Sequence, residues 1–493
     1  MNEKKLSDNH AYKRLCTVLA RTARRNTGMT IADATAATAL PLAQVRELLP
    51  CAADEYCARL AVTESGEILY SFPKGMVSRY RGFGVGLKKA AGKFLTGVGV
   101  AAAFLFKAWI MVMLIGYFVL FLALALASVF LSVAGSSKSS NRRRGSTFIG
   151  GHGLLNFFIR LWFFSELTKP RRMGGMTTMP RSTKRLLHKA VFSFVFGDED
   201  PNKEWDQKIK KDVIAYIQAN KGIISLPEFM TLIGKDSLQA EEALMAFCVE
   251  FGGSPEATED GTIIYRFEEL LLRADTQDKS FKSLSPPIAM LKNFSSNPKS
   301  MNIWFCIINA VNLIFGSYFL NQATRYSTVI FTDEHKVKSL YQFVYALFCS
   351  VSHNPAPAIA IGLGLVPLVF SILFWLIPAI RLRFTNAENE KLKLENLRRL
   401  GFGRIWSKPT AVTGNDIDSQ LKECRPKNFN GAREKIIKEM GAYSLPEVSI
   451  DQSGQTVYSF AGLEREQQAL KKCRFAVKDE KSQLGGLVFD TGE

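Results

Sequence analysis

The forty residues from Leu95 to Ala134, LTGVGVAAAFLFKAWIMVMLIGYFVLFLALALASVFLSVA, carry one charged side chain, Lys107. At ~1.5 Å per residue they make about 60 Å of helix, roughly twice the hydrocarbon core of a bilayer. A run of this kind belongs in a membrane, and two arrangements satisfy it. One is a helical hairpin turning near Gly116–Tyr117. The other is a single long helix whose first turns lie along the surface up to Lys107–Trp109. One lysine near a helix centre costs roughly 2.5–3.5 kcal/mol on insertion scales, which the many Leu, Phe, Ile and Val residues offset. The flanks RYRGFGVGLKKAAGK and SSKSSNRRRG are both positive. Positive flanks prefer the cytoplasm, so the charge favours a hairpin over 95–134, entered through a basic stretch that starts at residue 79.

Two further apolar runs are long enough to span, 302–320 (NIWFCIINAVNLIFGSYFL) and 357–380 (PAIAIGLGLVPLVFSILFWLIPAI). Gly362 and Gly364 suit close helix packing, and Pro367 is a possible kink. The nearly charge-balanced loop between the runs and the basic helix after them, 381–405, put the loop outside and both flanks inside. Asn309 and Asn312 lie one turn apart in the third span. They read as inter-helix hydrogen bonds, with a polar pathway as the alternative. Between 136 and 200 the chain is a basic linker, and LLNFFIRLWFF (154–164) reads as an interfacial helix on anionic lipid.

Charge supports this layout. Residues 79–197 hold eighteen Lys and Arg against one acid, Glu166, so they carry nearly all of the net charge of +18. The eight cysteines include no C-x-x-C pair, which fits reduced thiols facing a cytoplasm. The polar start MNEKKLSDNHAYKRLCTVLARTARRN has no short apolar core of a cleavable signal peptide.

The polar parts repeat themselves. TESGEILYSF (63–72), TEDGTIIYRF (258–267) and IDQSGQTVYSF (450–460) are near-copies, each with a turn glycine between two strand-like segments. Ahead of the second copy lie three helical stretches, WDQKIKKDVIAYIQANKG, LPEFMTLIG and SLQAEEALMAFCVEFGG. Three helices and a β-hairpin in about 65 residues is winged-helix order. The expected domains are a winged-helix-like repeat 1 at 1–78, repeat 2 at 201–275 and a repeat 3 with a short, degenerate front half at 406–475. A linker fills 276–301 and a tail 476–493. Like domains share a compartment, which requires an even number of crossings between them. The fold class expected is an α-helical multipass membrane protein with three small α+β winged-helix-like cytoplasmic domains.

A winged helix that reads DNA presents a basic helix and wing to the phosphates. Residues 201–275 hold eight basic and fourteen acidic residues, and the third helix of that copy carries Glu241, Glu242 and Glu250 without Lys or Arg. That sign repels a phosphate backbone and suits protein docking. Gly82–Gly86 followed by two lysines lacks phosphate-loop spacing, and the carboxylates of Gly197–Asp206 depart from a calcium loop. His10, His152, His188, His335 and His353 are dispersed. The sequence gives no catalytic, cofactor-binding or metal residues, no cofactor and no small-molecule substrate.

Three stretches resemble a little-characterised family of multipass membrane proteins shared by spirochaetes, cyanobacteria and plastids. They are VTESGEILYSFPK; FSFVFGDEDPNKEWDQKIKKDVIAYIQANKGIISLPEFM with GSPEATEDGTIIYRFEELLLR; and FWLIPAIRLRFTNAENEKLKLENLRR. In the last, Ile377-Pro378-x-x-Arg381, then Asn396 and Arg399, is similar to the family's membrane-exit pattern. The resemblance covers most of residues 10–400, and the chain departs from the pattern beyond. Some plastid members carry an iron–sulfur biosynthesis label, but no cysteine cluster here is able to hold such a centre. The resemblance implies a membrane protein and no established reaction.

These readings converge on a non-enzymatic scaffold in a bacterial inner membrane, docking protein partners through its modules and anionic lipid through its basic flanks. A membrane-tethered nucleic-acid-binding regulator and a transporter or accessory subunit are the alternatives. Nucleic acid is disfavoured as a partner by the acidic helices.

Overall fold

In the computed structural model of the chain, the described residues are 2–25, 27–79, 83–134, 186–274, 286–326, 339–351, 353–421, 424, 429–452, 454–477 and 485–491. For 2–8, 83–96, 131–134 and 429 only the backbone path is described. The chain is mostly helical and divides into two compact units. One comprises Met1–Ala90, Asp200–Lys292 and Ala387–Glu493; the other comprises Ala91–Glu199 and Asn293–Asn386.

The first unit holds the three polar modules. Module one has helices Asn2–Arg25, Ile31–Thr38 and Leu42–Glu55, then strands β1 (Arg59–Thr63) and β2 (Ile68–Ser71). Module two has helix Trp205–Ala219, strand β3 (Ile223–Ile224), helices Leu226–Ile233 and Ser237–Phe251, and strands β4 (Ser254–Ala257) and β5 (Ile263–Arg266). Module three has the last part of helix Val366–Ser407, strand β6 (Val412–Thr413), helices Gly414–Leu421 and Phe429–Tyr443, and strands β7 (Glu447–Ile450) and β8 (Thr456–Ser459). Helix Ala461–Ala476 and strand β9 (Leu487–Asp490) complete the unit.

The three near-identical strings fold as hairpins with one turn geometry. Thr63 N–H donates to Glu67 O, Thr258 N–H to Thr262 O and Asp451 N–H to Gln455 O. Inside these, Gly66, Gly261 and Gly454 donate back to Thr63, Thr258 and Asp451. The glycines sit at φ +81°, +75° and +75°, the left-handed region that closes a three-residue loop with a bulge. The likeness extends outside the hairpins. Met29, Ile224 and Val412 pair respectively with Tyr70, Tyr265 and Tyr458 of the second hairpin strand. The next residue starts a helix in each module. Thr30, Ser225 and Thr413 donate their N–H to the carboxylates of Asp33, Glu228 and Asp416 three residues on, at 3.1, 3.2 and 3.2 Å.

The stretch ahead of the third hairpin, which reads as short and degenerate in sequence, shares this pairing and this helix start. Its first helix is the end of Val366–Ser407, in the stretch expected as a basic juxtamembrane helix. Phe402, Ile405 and Trp406 are buried with Ile417, Ile436, Met440 and Leu463, in a core continuous with that of module two. Module one has its own core of Leu15, Leu19, Val45, Leu49, Tyr70 and Phe72.

The second unit contains the apolar helices. Phe83–Ala134 is one continuous helix, so the expected hairpin at 95–134 is corrected. A lone glycine weakens a helix by only ~1 kcal/mol and does not turn it. Neighbouring helices also engage the residues around Gly116. Asn312 Nδ2 donates to Leu114 O (2.8 Å), and Tyr117 Oη donates to Gly362 O (2.8 Å). Three helices are long and apolar enough to cross a membrane among the described residues, Gly97–Phe130, Lys299–Arg325 and Ala356–Ser407, in place of the four spans expected. The last contains a π-helical turn, Ala360–Leu365, just ahead of Pro367, which has no N–H to give an ordinary turn. Gly316 and Gly364 permit close backbone approach here: a Cβ on Gly364 would lie 2.9 Å from Leu320 Cα. Short helices Leu187–Phe196 and Leu340–Cys349 pack among the long ones. The interfacial helix expected at 154–164 lies outside the described residues.

Candidate functional site

A polar constellation in the first unit surrounds the segment 288–292, which follows module two. Three asparagines, Asn202 in the turn ahead of helix Trp205–Ala219 and Asn389 and Asn396 on helix Val366–Ser407, read its backbone in the same way. Ala289 N–H donates to Asn396 Oδ1 (2.9 Å), and Asn396 Nδ2 donates to Ala289 O (2.9 Å). Met290 exchanges the same two bonds with Asn202 (3.2 and 2.6 Å), and Lys292 with Asn389 (2.8 and 2.9 Å). A carboxamide offers a donor and an acceptor side by side, so it matches the amide and carbonyl of one residue of an extended chain. Lys292 Nζ adds an ion pair to Asp200 at 2.7 Å and another to Glu388 at 2.5 Å.

Arg399 anchors this clamp and is wholly buried. Its Nη1 donates to Asn396 Oδ1 (3.0 Å), which orients the amide. Nε and Nη2 donate to Leu232 O (3.2 Å) and Ile233 O (2.8 Å), and Nη2 meets Glu395 at 3.3 Å. The two carbonyls end helix Leu226–Ile233, where no intrahelical donor remains and a cation is favoured. Gly234 follows at φ +72°, with Glu395 O only 2.5 Å from where a Cβ would stand. The neighbouring Arg398 ties modules two and three together: it is bidentate on Glu439 (2.8 and 2.7 Å) and reaches Asp236 at 3.1 Å.

Beside the clamp lies a cavity of about 360 Å³ lined by Glu204, Trp205, Lys208, Lys211, Asp212 and Met290 among others. Burial lowers the Lys211 pKa, and Arg14 and Arg21 lower it further against the pull of Glu204. Burial raises the pKa of Asp212, opposed by Lys208. The cavity mixes both signs around the indole of Trp205. Among the described residues no group of three or more His, Cys, Asp or Glu side chains is placed to hold a metal ion.

The residues named from sequence take several roles. Within the second unit Arg381 donates to Phe294 O (2.7 Å) and Phe194 O (2.9 Å). Asp198, from the carboxylate-rich stretch, accepts from Ser193 Oγ (2.9 Å) and Ser296 N–H (2.7 Å). Asp200 is spent on Lys292. The buried Asn309 and Asn312 donate to Ser371 O (2.9 Å) and Leu114 O (2.8 Å), joining three helices, while their Oδ1 atoms have no partner. Lys107 Nζ lies 4.4 Å from the centroid of the Phe192 ring. Glu241 and Glu242 are exposed on helix Ser237–Phe251, between Leu238, Met245 and Val249, which are 78%, 48% and 88% exposed. Sequence reasoning missed Asn202, in the turn ahead of helix Trp205–Ala219, and Asn389, seven residues before Asn396 on one helix; neither position gives a signal unless the partner segment is known.

Over 408 residues the chain is 24% identical to an uncharacterised chloroplastic protein of Arabidopsis thaliana, an alignment covering 77% of this chain and 70% of that protein. No family model and no solved structure matches the chain. The similarity to a chloroplastic protein is consistent with a family shared by plastids and cyanobacteria.

Proposed function

We propose that the chain is an integral membrane scaffold that docks protein partners through three winged-helix-like modules. One observation carries this reading. Helix Ser237–Phe251 stands where a winged helix places its recognition helix, and it exposes Leu238, Met245 and Val249 along one face with Glu241 and Glu242 between them. An acidic, apolar face is suited to a protein surface and repels nucleic acid. The modules share one compact unit, which supports their lying on one side, the cytoplasmic face of a bacterial inner membrane. Two candidate spans separate modules two and three, the even number this arrangement needs. Phe83–Ala134 supplies one span between modules one and two, so the described residues alone leave that count odd.

The experiment is a co-purification in mild detergent from cells carrying the tagged protein or its Glu241→Lys/Glu242→Lys variant. Loss of a reproducible partner set, with unchanged membrane insertion, is the expected result. An unchanged partner set sinks this face as the docking surface. Partners that vanish on nuclease treatment transfer support to a tethered nucleic-acid regulator.

A further inference from the structure

The first hairpin differs from the other two along its outer edge. In modules two and three the sheet order is β3-β5-β4 and β6-β8-β7, so the first hairpin strand is the edge strand. On β4 that edge carries Pro255, which has no N–H to offer a neighbour. On β7 all four residues are exposed, including Val448 and Ile450. On β1 the edge is filled by β9, the last strand of the chain.

The pairing is antiparallel, Ala61 with Asp490, Val62 with Phe489 and, after a bulge, Thr63 with Leu487. It continues past both ends. Glu64 N–H donates to Gly486 O (2.9 Å), Thr491 N–H to Leu60 O (2.9 Å) and Leu60 N–H to Thr491 Oγ1 (3.0 Å). Two glycines admit this approach. Gly485 sits at φ +73°, and a Cβ there would lie 2.7 Å from Glu64 Oε2; one on Gly486 would lie 3.0 Å from Glu64 Oε1. The side chains of β9 contribute little burial, with Leu487, Val488 and Phe489 at 60%, 68% and 61% exposed. Backbone pairing thus holds the strand, and its apolar side chains remain available. Peptides added to a sheet edge are held in this way.

We propose that the outer edge of β1 is a peptide-binding site that works by strand addition, and that the chain's own C-terminus occupies it. Its ligand class is an extended segment of a partner protein with two small residues followed by three apolar ones, the pattern of Gly485–Phe489. Belonging to the same chain keeps the cis strand at high local concentration, so a partner segment binds only when it outcompetes the tail. The outer edge of β7 shows the same hairpin with no strand paired to it among the described residues.

The test uses a fluorescein-labelled peptide GGLVFDTGE and fluorescence polarisation in detergent. Protein ending at residue 484 is expected to bind it with micromolar Kd, and the full chain at least tenfold more weakly. A peptide with valine in place of both glycines is expected to bind neither. The full-length Gly485→Val/Gly486→Val variant displaces the tail without shortening the chain, and it is expected to bind the unmodified peptide as the shortened protein does. Failure of both opened proteins to bind, or equal binding by the intact chain, overturns the proposal. The partner rests on the docking reading, but the site does not rest on Glu241 and Glu242. Charge reversal without effect, beside a tail-free protein that binds peptide, would remove that face and leave this site.

Discussion

Asn396 and Ala289 exchange two hydrogen bonds, each of 2.9 Å, although 107 residues separate them in sequence. The side chain treats Ala289 as a neighbouring strand would, and Arg399 fixes which way the amide faces. Asn396→Ala leaves the buried amide and carbonyl of Ala289 without partners, and each such loss costs about 1–3 kcal/mol. We expect Asn396→Ala to lower the thermal midpoint in detergent by several degrees and to expose the segment near Met290 to limited proteolysis. Asn396→Asp retains the acceptor but loses the donor, so it should fall between. A variant with unchanged midpoint and cleavage pattern would show the clamp to be incidental.

Glycine substitutions separate backbone strain from steric conflict. Gly261 has positive φ with open space around it, so Gly261→Ala costs only the left-handed conformation, roughly 1–2 kcal/mol. Gly197 is at φ +87° as well, and a Cβ there would lie 2.3 Å from Arg381 Nη1. Gly197→Ala must move the guanidinium off the carbonyls of Phe194 and Phe294, so it is expected to destabilise by at least twice as much. Equal losses in the two variants, read by thermal unfolding, would contradict the packing of Arg381.

What the sequence disclosed was local. The three turns were legible because a positive-φ glycine between strand-like segments is a short-range signal, and Gly66, Gly261 and Gly454 all stand there. Helix Phe83–Ala134 was misread because positive flanks report on topology, whereas continuity through Gly116 depends on neighbours such as Asn312 and Tyr117. The first helix of module three was hidden for a related reason. Phe402 and Ile405 follow a charged stretch of the same helix, and only their partners in helix Phe429–Tyr443 show that they are core. Asn396 and Arg399 were picked out by resemblance, but their task depends on Ala289 and Leu232, which no local pattern connects to them. The pairing of β9 with β1 joins segments more than 400 residues apart in sequence and has no local signature at all.

Asn312 and Asn309 bind helices rather than solvent, since both amides donate to backbone carbonyls. Hydrogen bonds of this type inside membrane proteins contribute about 0.6 kcal/mol on average and up to about 1.7. Asn312→Leu should therefore reduce resistance to SDS-induced unfolding by about that amount, and Asn309→Leu similarly, without altering insertion. A larger loss of transport-like ion flux in proteoliposomes than of stability would favour a pathway instead.

Glu466 gives the modules a defined pH dependence. It is 5% exposed, and Tyr443 Oη donates to its Oε2 at 3.1 Å. Burial pushes its pKa up to about 7, and the nearby Glu228 carboxylate adds to the rise against the hydrogen bonds of Tyr443 and Ser225. Glu228 itself pairs with Arg474 at 2.6 Å. The folded pKa lies above the unfolded one, near 4.5. The protonated carboxyl therefore favours the fold below about pH 4.5, and that contribution is lost as pH rises through 7. At ~1.4 kcal/mol per unit the full span is roughly 3 kcal/mol. Glu466→Gln is neutral at every pH and keeps an acceptor for Tyr443, so it should raise the thermal midpoint at pH 8 and leave it nearly unchanged at pH 4.5. Thermal scans at half-unit steps from pH 4.5 to 8 read this directly. A difference between variant and parent that stays constant over the range would mean that Glu466 is charged in both states and that its burial is relieved by solvent.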